Sequence, residues 1–112
     1  MLPPVDMLTD DGYDLEFGTN VLGHFYFTKL LMPALLVAAE SSSDGTARVV
    51  NTASNAHWFS RLDYNSFRDS PARRKKLSWV RYGQSKTVNL VLLVLQSSNQ
   101  DLKRAISYLP QS

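Results

Sequence analysis

In the stretch "VRYGQSKTVN", Val80 to Asn89, a phenol and an ammonium stand four positions apart, at Tyr82 and Lys86. On a helix that spacing stacks both side chains on one face. An ammonium beside a phenol favours the ionised form, and a phenol needs that help to shuttle protons at neutral pH. Bringing its pKa from about 10 to near 7 corresponds to roughly 4 kcal/mol. The same pair also suits the solvated edge of an ordinary helix, because Tyr-x-x-x-Lys recurs by chance at average composition. Ser54 follows a short β-branched run. A hydroxyl at the carboxyl end of a strand stands where open α/β sheets bind ligands, and it is equally a residue that starts a turn. Asn20 lies in an apolar stretch between Gly18 and Gly23, whose low helix propensity favours local unwinding. Its amide needs a partner, either structural or along a proton path.

These residues have to be positioned by helices and a strand. Thr9 is the expected N-cap of a first helix, whose apolar residues Leu15, Val21, Leu22, Phe25, Tyr26, Leu30 and Leu31 recur at helical spacing up to about Glu40. Pro33 removes an amide donor inside that pattern and predicts a kink. "SSSDGT" is a turn by composition, and "ARVVNTAS", Ala47 to Ser54, predicts the one clear strand of the chain. From Asn55 to Ser78 a polar loop interrupted by Pro71 carries a basic cluster, "ARRKK", read as a solvated face. A second helix is expected from about Ser78 to Gln96 and a short third one over Asp101 to Leu109. A strand that is apolar on both faces belongs inside a parallel sheet, so its neighbours must come from another polypeptide or from further chain.

Composition narrows the function classes. The 112 residues are 44% hydrophobic and 20% charged, as in one globular domain. A net charge of +2 gives no reason to expect a nucleic-acid partner. With no cysteine, disulfides, thiolate metal sites and cysteine nucleophiles are excluded together, and no metal is expected. Neither uninterrupted apolar run, from Leu30 or from Val88, reaches the roughly 20 residues of a membrane span. The N-terminal residues lack a basic region followed by an apolar one, so a cytoplasmic location is the default expectation. His57, three residues after Ser54, raises a serine-hydrolase reading, but no glycine-flanked nucleophile elbow surrounds Ser54. His24 is expected to be a packed or capped structural histidine.

Taken together, "LTDDGYDLEFGTNVLGHFYFTKLLMPALL", "ARVVNTASNAH" and "YGQSK" resemble the central part of a short-chain dehydrogenase/reductase. The resemblance is to its retinol-dehydrogenase-like and WW-domain-oxidoreductase-like branch, which includes fungal light-induced alcohol dehydrogenases. It covers about residues 1 to 95, leaving 97–112 as a divergent tail. It implies an α/β, Rossmann-like doubly wound fold, here incomplete, and NAD(P)-dependent hydride transfer to or from an alcohol or carbonyl substrate, with NADP as the favoured cofactor. It also implies that Asn20, Ser54, Tyr82 and Lys86 match the family's catalytic tetrad. In that scheme Tyr82 is the general acid/base, Ser54 polarises the substrate oxygen and Lys86 lowers the phenol's pKa and binds the nicotinamide ribose. Asn20 holds a water that links Lys86 to solvent. Cofactor contacts would then come from Asn20, Tyr82 and Lys86.

The departures from the family are as specific as the matches. No glycine-rich phosphate-binding turn occurs, the "Asn-Asn-Ala-Gly" motif expected just before "MLPP" is absent, and Met1 enters the pattern halfway. After "SKTVNLVLLVLQ" the expected strand and "Pro-Gly" turn give way to "SSNQDLKRAISYLPQS". The expectation is therefore a partial domain lacking its dinucleotide-binding half, marginally stable or dependent on a partner. Two functions follow: an oxidoreductase, or a catalytically inactive remnant acting as a helix-mediated association module. In the second, the two long helices, with Phe25, Phe27, Leu90 and Leu93, pair with a second copy or an intact relative.

Overall fold

The computed structural model describes residues 2–107, with side chains described up to residue 92. Helix α1 (Leu15–Ser41) is followed by 3-10 turns at Asn55–Phe59 and Tyr64–Ser66, a one-turn helix α2 (Pro71–Arg74) and a long helix α3 (Ser78–Ser107). The α1 N-cap is Asp14 and not Thr9, because Gly12, at φ 77°, turns the chain back on itself. In that turn Thr9 Oγ1 and the Thr9 carbonyl accept from the Tyr13 and Gly12 amides, at 3.0 and 2.8 Å. Asp14 Oδ1 then accepts from the amides of Glu16 and Phe17, both at 3.1 Å, filling two of the vacancies at a helix start. The unwinding expected between the two glycines is present, since Gly18–Gly23 is π-helical and carries Asn20. The helix then runs through Pro33 to Ser41.

Two sequence expectations need correction. Ala47 to Ser54 forms no ladder, and the described residues contain only two isolated bridges, Leu8 with Asp14 and Tyr13 with Arg68. A strand exists only by pairing, and no described segment lies alongside to accept its amides; Val50 is 89% exposed. The second and third helices expected downstream are one, since α3 continues through "SSNQ". Serine and asparagine are mediocre helix formers, yet they keep the amides that proline would remove. Residues 108–109 of the expected third helix, and the apolar face assigned to it, lie outside the described residues, as does the Leu93 side chain.

The interior is assembled from polar groups. Val21 is the one buried hydrophobic residue among those described, while Asp14, Glu16, Ser60, Ser66, Arg73, Arg81, Gln84 and Ser85 are all buried. Asp14 is the hub: its second oxygen, Oδ2, takes Arg73 Nε at 2.8 Å and Arg81 Nε at 3.2 Å. The two guanidinium groups also reach the Met7 and Pro3 carbonyls, at 2.8 and 3.0 Å, tying the N-terminal segment to α2 and α3. The basic cluster is thus not a plain solvated face. Ser70 caps α2 with Pro71 at its start, which turns Arg73 inward to 1% exposure while Arg74 pairs with Asp69 outside. Phe67 stacks on Phe17 with centroids 4.1 Å apart, and Gln84 Oε1 accepts from the Asp63 amide at 3.1 Å, so the loop is pinned to both long helices.

By contrast, α1 beyond Gly23 buries nothing: Phe25, Tyr26, Phe27, Leu30, Leu36 and Val37 are exposed. Taken whole, the 27-residue α1 is long and apolar enough to cross a membrane, a property that the uninterrupted runs of the sequence do not reveal. The core helix of a soluble domain has the same length and composition.

Candidate active site

Tyr82 and Lys86 lie one turn apart on α3, both half-buried, as their spacing requires. The Lys86 ammonium stands over the Tyr82 ring, 5.6 Å from its centroid, within cation–π range. It also donates to the Thr52 carbonyl at 3.4 Å, which draws the chain just before Ser54 towards this face of the helix.

Ser54 has extended backbone angles and caps the 3-10 turn Asn55–Phe59, its Oγ accepting from the Ala56 amide at 3.3 Å. That bond uses the hydroxyl as an acceptor, so its proton stays free to be donated to a substrate oxygen. The turn packs against α3 at Gly83, the residue next to Tyr82. A Cβ there would stand 2.6 Å from the Ala56 carbonyl oxygen and run into the Ser60 hydroxyl. Only glycine permits this approach. Ser60 Oγ donates to the Val80 carbonyl at 3.0 Å, and Thr87 Oγ1 lies 3.4 and 3.3 Å from the His57 and Ser60 carbonyls. The Ser54 turn is therefore seated along the helix turn that carries Tyr82 and Lys86.

His57 Nδ1 lies 2.6 Å from the backbone carbonyl of Ser54 and is bonded there, not to the hydroxyl. A serine–histidine nucleophile needs the imidazole on Oγ, so the geometry does not support hydrolysis. His24, expected to be packed, is exposed, at the edge of a small hollow shared with Val21, Thr28, Asn51 and Asn89. Asn20 does reach α3: its Nδ2 donates to Ser85 Oγ at 3.0 Å.

The donor set of a phenol, an ammonium and a serine hydroxyl suits the nicotinamide–ribose end of a dinucleotide and a carbonyl oxygen. The pyrophosphate end has no counterpart among the described residues. The two glycines with positive φ, Gly12 and Gly45, lie in the turns before and after α1, and neither opens a helix from the end of a strand.

The residues the sequence reading passed over are the polar ones behind the site: Asp14, Arg73, Arg81, Gln84 and Ser85. Ser85 and Gln84 sit inside "YGQSK" itself. The helix period carries the signal: Gln84, two positions from both Tyr82 and Lys86, falls on the opposite, inward side of α3, and Ser85, three positions after Tyr82, flanks the Tyr82 face on its buried side.

Curated proteins that match this chain are consistent in kind. A short-chain dehydrogenase/reductase of Armillaria gallica is 56% identical over 94 residues, 84% of this chain and 30% of that protein. A second from the same fungus is 46% identical over 108 residues, 96% of this chain and 34% of its own length. Retinol dehydrogenase 12 of Mus musculus is 39% identical over 83 residues, 74% of this chain and 23% of that protein. The chain thus spans about a quarter to a third of the length of these relatives. No protein-family model matches it, and no solved structure does.

Proposed function

Because the chain belongs to the short-chain dehydrogenase/reductase family, we propose that it carries the catalytic portion of an NAD(P)-dependent oxidoreductase acting on an alcohol or carbonyl substrate, with Tyr82 as general acid/base. Membership implies a Rossmann-like domain, of which the described residues form the helical part. The observation that carries the proposal is the seating of the Ser54 turn at Gly83, beside Tyr82 and Lys86.

The chemistry divides among the residues. A bound reduced nicotinamide supplies the hydride, which no side chain can. The Tyr82 hydroxyl gives its proton to the carbonyl oxygen as that oxygen gains negative charge. The Ser54 hydroxyl, its acceptor side held by the Ala56 amide, donates to the same oxygen. The Lys86 ammonium stabilises the phenolate left on Tyr82 and donates to a ribose hydroxyl, and Asn20 supports the path by which Tyr82 regains its proton. Oxidation runs the same steps in reverse. Positioned proton transfer contributes about 10²- to 10⁴-fold, so placement of the cofactor must supply much of the rest.

Fluorescence titration of the folded chain with NADPH and NADH tests this reading. Saturable binding that Lys86→Ala weakens about tenfold or more, and that Tyr82→Phe leaves in place while abolishing turnover, is the expected result. A chain that is folded by circular dichroism yet binds neither cofactor overturns it.

A second reading, a helix-mediated association module, is favoured by the exposed Phe25, Phe27 and Leu30 on α1. It predicts a folded, cofactor-indifferent chain that sediments as a dimer or captures an intact relative.

A further inference from the structure

The geometry points to Ser85 as a positioning residue that presents Asn20 to the Tyr82–Lys86 face, an inference that rests on the oxidoreductase reading above. Ser85 lies directly before Lys86 and is 1% exposed, among the most buried side chains of the described residues. Its hydroxyl works in both directions. Oγ accepts from Asn20 Nδ2 at 3.0 Å and donates to the Tyr82 carbonyl at 2.7 Å. One oxygen thereby links the asparagine of α1 to the backbone of the general acid/base on α3, across 65 positions of sequence.

The reason a serine is needed follows from both ends of this link. Asn20 stands in the π-helical stretch Gly18–Gly23, where the added residue per turn re-aims side chains and the backbone ladder is less well formed. A side chain on such a stretch is held by what it touches more than by its own backbone. Without Ser85 Oγ its half-buried amide would turn to seek another acceptor. The bond from Ser85 back to the carbonyl three residues earlier also fixes the rotamer of the hydroxyl, so its lone pairs face α1. Alanine would remove both interactions. Threonine keeps the hydroxyl while adding a methyl group, and so separates loss of the bond from loss of packing.

A double-mutant cycle on the full chain, with kcat and cofactor KM measured separately for wild type, Ser85→Ala, Asn20→Ala and the pair, is the primary test. If Ser85 acts through Asn20, Ser85→Ala lowers kcat about tenfold or more while cofactor KM stays within about twofold. The double variant is then no slower than Asn20→Ala alone, and Ser85→Thr recovers a substantial part of the loss. Independent, multiplying losses in the double variant overturn the inference.

A second measurement does not depend on turnover. The side-chain amide protons of Asn20, followed by ¹⁵N-correlated NMR in the chain without cofactor, shift in Ser85→Ala and hold their position in Tyr82→Phe. If wild type shows no activity, the oxidoreductase reading fails, and a shift confined to Ser85→Ala still establishes the link. Asn20 amide signals unmoved by Ser85→Ala overturn the link itself.

Discussion

Glu16 should make the chain less stable as pH rises through neutrality. It sits in the first turn of α1, 3% exposed, with both carboxylate oxygens lacking a hydrogen-bond partner. The neighbouring Asp14 has already taken the two nearby guanidinium groups, Arg73 and Arg81. Burial pushes the Glu16 carboxyl up from its ordinary 4.5 to about 7, the Asp14 charge adds to this, and Arg81 opposes it. Between those values the folded chain holds a proton that the unfolded chain has released. The contribution is therefore fully present below about pH 4.5 and lost as pH rises through about 7. At about 1.4 kcal/mol per pH unit the ceiling is about 3 kcal/mol, and screening by nearby solvent reduces it to about 1 to 2 kcal/mol. Glu16→Gln preserves shape and removes the ionisation. In urea unfolding followed by circular dichroism, wild type should lose about 1 to 2 kcal/mol more than the variant between about pH 5 and pH 8, a midpoint difference of roughly 0.5 to 1 M. Taking the difference between the two proteins cancels the other titrating groups. Parallel stability curves for wild type and variant would refute the assignment of an unpartnered, proton-holding carboxyl.

Three further outcomes follow from the packing. Asp14→Asn leaves Arg81 buried without its counter-charge and Arg73 with Asp69 alone, 3.6 Å away, and should cost about 3 kcal/mol in chemical denaturation; a loss below about 1 kcal/mol would mean that water reaches the cluster. Gly83→Ala forces the Asn55–Phe59 turn off α3, because its Cβ would stand 2.6 Å from the Ala56 oxygen. It should destabilise by about 1 to 3 kcal/mol and shift the NMR signals of Ser54 and Ala56, and an unchanged Ser54 environment would contradict the seating described here. Amide protons of Val49, Val50 and Asn51 should exchange at near-coil rates while that of Ser85 is protected, and hydrogen exchange slowed at Val50 would show a backbone partner for this segment.

What could be read from the sequence is what short range decides. Tyr82 and Lys86 share a helix face by period alone, and Gly18 and Gly23 mark an unwinding that the backbone takes up as a π-helical stretch. The N-cap was harder, because Thr9, Asp10, Asp11 and Asp14 are all competent caps. The choice among them falls to contacts distant in sequence: Arg73 and Arg81 on the Asp14 side chain and the Phe67 carbonyl on its amide, at 2.9 Å. Arg73 itself was hidden in a charge run, and a four-residue helix has no period from which an inward face can be read. The strand failed for a different reason. β-Branched residues state a preference for pairing, but pairing is a property of two segments, and one segment cannot satisfy it. The consequence for the site is specific. Ser54 was expected to be held by the end of a sheet strand. In this chain a 3-10 turn and the missing side chain of Gly83 hold it instead. Contacts with α3 are thus enough to seat the turn that Ser54 caps along the helix turn that bears the phenol and the ammonium, with no sheet among the described residues.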